Sequence, residues 1–146
     1  MATNKTVQIE AKLGEGFTIE SKIRDHTVYV DQPTAGGGAD AGPTPLEYLL
    51  LSLGSCIGSI GRIIANQRKL PLRSMTIGVS GDLDLDFLLG KTDQGRAGFG
   101  ELKMSVKMDC DMSLEEQKQF LHEVDARCPV SDSLVNGCSV RLEAAE

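Results

Sequence analysis

Four cysteines, Cys56, Cys110, Cys128 and Cys138, are the residues of this chain whose type best suits chemistry. A thiolate attacks peroxide oxygen, attacks disulfide sulfur and binds metal, so the question is which cysteine's surroundings favour the charged form. Cys128 lies in Ala126-Arg127-Cys128-Pro129-Val130-Ser131, just before an expected helix N-cap at Ser131. The amides of a helix N-terminus and the adjacent Arg127 would both favour a thiolate over a free thiol of pKa about 8.5. A half-buried thiol in a tight turn is the alternative reading. Cys56 stands among Gly54, Ser55 and Gly58 in an apolar stretch, where position alone favours a small buried hydrophobe. Cys110 is flanked by Asp109 and Asp111, whose charges oppose a thiolate, and Cys138 opens an expected strand in which packing explains it. Both are read as bystanders.

Metal chemistry is a poor fit, because no Cys-x-x-Cys occurs and His26 and His122 are far apart in sequence. The N-terminus runs from Thr3-Asn4-Lys5-Thr6 into Val7 and Ile9 without the apolar stretch of a secretory signal. A cytoplasmic location is expected, and with it reduced or catalytic thiols rather than a disulfide framework. The net charge of −6, without a block of basic residues, argues against nucleic acid and anionic membrane as partners.

The elements that must position these thiols are legible in part. One domain spanning residues 1–146 is expected, with an aliphatic core because Trp is absent and aromatics are 4%. Alternating β-branched residues predict strands at 17–21 and 27–30 around a polar turn, and Pro33 with four glycines makes 32–42 a linker. Thr44, Pro45 and Glu47 form a capping box with proline at the first helical position, which predicts a helix over 45–66 that stops before Pro71. Residues 48–61 carry no charge, so this central helix is expected to be buried on nearly every side, and the run is too short to cross a bilayer. Gly54, Ser55, Gly58, Ser59 and Gly61 place small residues at four-residue spacing, which predicts a helix-to-helix contact such as one across a dimer.

Alternation predicts further strands at 75–80 and 102–109, joined by a long hairpin connection over 88–100. Ser113 and Glu116 predict a second capping box and a helix through 126, followed by a short helix over 131–136 and a last strand at 139–142 that closes a sheet. The fold class is α+β.

Pro45-Leu46-Glu47-Tyr48-Leu49-Leu50-Leu51-Ser52-Leu53-Gly54-Ser55-Cys56, followed by Arg127-Cys128-Pro129-Val130-Ser131, resembles the OsmC/Ohr superfamily over residues 36–141. Asp31-Gln32-Pro33, Gly36-Gly37 and Gly42-Pro43-Thr44-Pro45 are closer to the OsmC-like branch than to the organic-hydroperoxide-resistance branch. The resemblance implies an intertwined homodimer, antiparallel sheets wrapped around paired central helices, and active sites at the interface. It implies a thiol peroxidase that prefers organic hydroperoxides: Cys56 becomes a sulfenic acid, Cys128 resolves it as a disulfide, and an external dithiol, lipoyl-bearing in one branch, restores both. No metal, flavin or haem is implied. The activating Arg is assigned to Arg24, with Lys22 and His26 as alternatives, and its Glu partner to Glu47. That Glu commonly lies ten positions before the reactive cysteine, whereas Glu47 lies nine before Cys56 and therefore on the opposite helix face, where capping is its first role. Two other readings stay open: a non-catalytic dithiol, acting as redox sensor or small-ligand binder, and a thiol enzyme of different chemistry.

Overall fold

Alternation builds the first sheet, and its register shows why. In the computed structural model, which describes residues 2–145, β1 (Glu10–Leu13), β2 (Ile19–Ile23) and β3 (His26–Val30) are antiparallel in the order β1-β2-β3. Ile19 pairs with Val30 and Ser21 with Val28, so the less exposed side chains share one face. The hairpin turn is only Arg24-Asp25, shorter than the polar stretch suggested, and Arg24 adopts a φ of 54° there. β1 was not expected, although Ala11 and Leu13 alternate with Glu10 and Lys12; it pairs with Glu10 opposite Lys22 and Lys12 opposite Glu20.

The segment read as a linker is tied down instead. Asp31, 1% exposed, accepts hydrogen bonds from the Thr18 hydroxyl (2.8 Å) and from the backbone N–H groups of Gln32 (2.7 Å) and Ala41 (3.1 Å). Burial works to raise its pKa, and these bonds together outweigh burial and hold the carboxyl below its ordinary range. Thr34–Gly36 forms a 3-10 turn inside the loop, and a side chain at Gly38 would collide with the Gln32 carbonyl. These elements form one compact unit that ends at Leu49; a second begins at Leu50.

The long helix α1 (Pro45–Arg68) starts as its capping box requires. Thr44 N donates to Glu47 Oε1 (2.9 Å), and Glu47 N donates to Thr44 Oγ1 (3.2 Å). It ends where Lys69 turns left-handed at φ 53° and Leu70 N closes onto the Ala65 carbonyl. By length and composition alone α1, with mean hydropathy 1.6 over its most apolar window, could cross a membrane, a test that a buried core helix also passes. In the fold its Leu53, Ile57, Ile64 and Ala65 are core.

The second unit contains β4 (Leu72–Gly81) paired antiparallel with β5 (Leu102–Cys110), α2 (Leu85–Leu88) within the long connection, α3 (Leu114–Arg127) and α4 (Pro129–Asn136). Ile57, Ile64, Ala65, Leu72, Phe120, Val124 and Cys128 make its core. Within the single chain α1 shows two features. Burial is one-sided, with Leu51 59% and Ile63 44% exposed. The glycine stripe receives a strand: a Cβ at Gly54 would lie 3.2 Å from Val79 Cγ2, and one at Gly61 3.0 Å from Met75 Sδ. Small residues allow close approach by any element, and β4 supplies it. The strand expected at 139–142 is also absent, because alternation makes a strand only where an edge pairs with it, and Val140 and Leu142 are exposed.

Candidate functional site

Two elements of the second unit bring thiols together. Cys56 is presented by α1 between the core residues Leu53 and Ile57, and Cys128 by the corner between α3 and α4, where Phe120 and Val124 join the same core. Their sulfurs lie 3.0 Å apart although 72 positions separate them, with the Cys128 thiol donating to Cys56 Sγ. Cys128 is fully buried and Cys56 partly exposed, and both are free thiols.

The corner is built around Cys128. α4 starts at Pro129 rather than Ser131, which makes Cys128 its N-cap, and Cys128 Sγ accepts from Ser131 N at 3.4 Å. Proline at the first helical position has no N–H to satisfy and a pre-set φ. Cys128 N donates to the Asp125 carbonyl (3.2 Å), Asp132 N donates to the Cys128 carbonyl (3.0 Å), and the buried Ser131 hydroxyl donates to Asp125 Oδ1 (2.6 Å).

The electrostatics of Cys128 reverse the expectation. Burial raises its pKa, as do the hydrogen bond to Cys56 and the Cys56 charge, and the Ser131 and Val130 amides only partly offset them. Arg127 is no help, because its guanidinium bonds Gln67 Oε1 and pairs with Glu123. Cys128 is therefore a protonated thiol rather than an activated thiolate.

Arg24 and Glu47 belong to the first unit, Arg24 in its hairpin turn. Glu47 is engaged in the α1 cap, where hydrogen bonds from the Thr44 backbone and hydroxyl pull its carboxyl below the ordinary range. In the second unit Arg62 donates to the Leu72 and Arg73 carbonyls, Arg68 to Glu123, and Arg73 to Asp109 and Asp111. Cys110 packs against the core, and Cys138 is exposed beyond α4, without the strand that was to explain it. Among the described residues no three His, Cys, Asp or Glu side chains converge as metal ligands. A groove of about 470 Å³ between α1 and β4, lined by Leu50, Leu51, Gly54, Ser55 and Ile77, is not at the dithiol. Gly54 and Cys56 are about 200° apart around the helix.

Sequence reasoning missed the Asp125–Ser131 bond. Its only trace is an acidic residue three before Cys128 and a hydroxyl three after, spacing that a helix–proline–helix corner folds into contact.

Fold and site thus define a dithiol protein of mixed α and β structure, with two thiols from distant segments in bonding range. Residues 36–143 match the family described as OsmC-like protein, and the chain belongs to that family. Its structure is similar to the OsmC-like protein from Mycoplasma pneumoniae, with TM-score 0.79, 22% identity and 92% of each chain covered. It is also similar to an organic hydroperoxide resistance protein OsmC from Legionella pneumophila (TM-score 0.70, 16% identity, 93% of each chain covered). A third similar structure is an organic hydroperoxide resistance protein from Elizabethkingia anophelis with thiocyanate bound (TM-score 0.69, 19% identity, 92% of this chain and 91% of that one). At these identities the likeness is one of fold. No curated protein sequence gives a significant match.

Proposed function

We propose that the protein is a thiol-dependent peroxidase in which Cys56 is the attacking sulfur and Cys128 the resolving one. The observation that carries this is the 3.0 Å separation of a partly exposed and a buried thiol. The Cys128 S–H points at Cys56 Sγ and supports the negative charge that attack on a hydroperoxide requires. Cys56 takes the terminal hydroxyl oxygen of ROOH, giving a sulfenic acid and ROH once the alkoxide gains a proton. The Cys128 sulfur then attacks Cys56 sulfur, the hydroxyl leaves as water with the Cys128 proton, and a disulfide forms. An external dithiol attacks the accessible Cys56 sulfur, frees Cys128 and leaves as its own disulfide. Names of relatives in the family, hydroperoxide resistance proteins among them, support the substrate class.

The activating cation is assigned to Arg24, and the working unit to a homodimer; the apolar exposure of Leu51 and Ile63 on α1 supports a partner. A second reading, a slower dithiol redox sensor, is favoured by one observation: Arg62, Arg68, Arg73 and Arg127 of the second unit all bond elsewhere.

One experiment discriminates. Reduced protein is mixed with tert-butyl hydroperoxide or hydrogen peroxide and thiol loss is followed by mass spectrometry in wild type, Cys56→Ser and Cys128→Ser. Wild type is expected to give a single Cys56–Cys128 disulfide, Cys128→Ser a sulfenic or over-oxidised Cys56, and Cys56→Ser no fast reaction. Oxidation no faster than that of an unactivated thiol would sink the peroxidase reading and leave the sensor.

A further inference from the structure

The geometry points to Asp125 and Ser131 as positioning residues for the resolving step, the pair that decides whether a Cys56 sulfenic acid closes to a disulfide or is oxidised further. The inference rests on the peroxidase reading and adds to it the control of product.

After attack, the sulfenic acid has two fates. Cys128 can displace its hydroxyl as water, or a second ROOH can deliver another oxygen, giving sulfinic acid and ROH. The first is intramolecular, and its rate depends on holding the Cys128 sulfur in line and close. Nothing on Cys128 itself does this, because a cysteine side chain rotates about one bond. The corner does. The Ser131 hydroxyl, in a residue 7% exposed, reaches back to Asp125 Oδ1 at 2.6 Å, the short distance of a bond to a charged acceptor. It spans the last turn of α3 and the first of α4, and inside it Cys128 N is held by the Asp125 carbonyl and Cys128 Sγ by the Ser131 amide. The sulfur thus accepts from the Ser131 amide while its own S–H is directed to Cys56 Sγ.

Without the hydroxyl or the carboxylate, α3 and α4 lose the bond that sets their angle, and the Ser131 amide no longer fixes the Cys128 rotamer. A displacement approaching 1 Å at a reacting atom costs up to about a hundredfold in rate, so tenfold is the effect expected here.

The test is the ratio of Cys56 sulfinic acid to Cys56–Cys128 disulfide, read by mass spectrometry over a series of tert-butyl hydroperoxide concentrations with the full chain. This ratio does not depend on how fast the first step runs. Ser131→Ala and Asp125→Ala are each expected to raise it about tenfold, and Ser131→Thr, which keeps the hydroxyl, to stay within about twofold of wild type. All are compared well below their unfolding midpoints, so that a merely structural role would lower stability and leave the ratio alone. If Ser131→Ala does not fold, Asp125→Ala, at an exposed position, carries the comparison. A wild-type ratio in both alanine variants would overturn the positioning role while leaving the peroxidase intact. Failure of wild type to form the disulfide at all would instead remove the peroxidase reading and this inference with it.

Discussion

Cys128 caps α4 and is the proposed resolving thiol, and two substitutions separate the two roles. Cys128→Ala removes the acceptor of the Ser131 N–H and empties the space of a fully buried sulfur. Loss of an N-cap acceptor costs about 0.5–2 kcal/mol, and a methyl-sized void about 1 kcal/mol, so Cys128→Ala is expected about 2 kcal/mol below wild type. Cys128→Ser restores an acceptor of the kind N-caps prefer, and its hydroxyl can donate to Cys56 as the thiol does, so about 1 kcal/mol should return. For a domain of this size that difference is about 2–4 °C in Tm. Toward peroxide the two variants should be alike, both without the Cys56–Cys128 disulfide. Urea unfolding under reducing conditions gives the stability order, and peptide mass spectrometry after peroxide the product. Equal stability of the serine and alanine variants would show that the sulfur is not a working cap. A disulfide formed by Cys56 at the wild-type rate in either variant would show that another cysteine resolves it.

The raised pKa of Cys128 makes stability fall at high pH: the unfolded thiol ionises from about pH 8.5 upward while the folded one stays protonated, so the unfolded state binds fewer protons. Reduced wild type should therefore lose stability between pH 8 and pH 10, both values about the thiol range, more steeply than Cys128→Ser, and identical slopes would refute the assignment. Asp31 works in the opposite sense: its lowered pKa contributes stability that is present above the ordinary carboxyl value of 3.8 and is lost as pH falls through the folded value. Asp31→Asn should flatten that acid loss and speed proteolysis within residues 32–41, measured by limited digestion. Gly61→Val should cost about 1–3 kcal/mol in urea unfolding, because even its Cβ would press Met75 Sδ at 3.0 Å.

What the sequence conveyed well were features fixed by neighbours. Thr44-Pro45-Leu46-Glu47 and Ser113-Leu114-Glu115-Glu116 each contain both halves of a capping box, and both boxes close as their spacing demands. The alternation of 102–109 produced β5 almost to the residue. Where a residue's fate depends on a distant partner, local pattern misled. Ser139-Val140-Arg141-Leu142 alternates as well as β5 does but has no paired edge among the described residues. Glu10–Leu13 alternates only weakly, through Ala11 and Leu13, and yet pairs, because β2 offers it an edge. The glycine stripe of α1 announced a close approach correctly but could not say that a strand would make it.

The same distinction governs the dithiol. Local reasoning made Cys128 the better nucleophile from Arg127 and a following helix, and it erred because burial is not written in the flanking residues. Arg127 reaches Gln67 and Glu123, and the core closes over the sulfur. Burial then changes the cysteine's part instead of abolishing it. A thiol that keeps its proton is a poor attacker of dissolved peroxide, yet at 3.0 Å it is a donor to its neighbour and already within reach of that neighbour's oxidised form. The partly exposed Cys56, which position alone marked as a packing residue, is left as the sulfur that solutes can meet. On the proposed peroxidase reading, accessibility decides which sulfur begins the reaction, and the local charges that sequence can show decide much less.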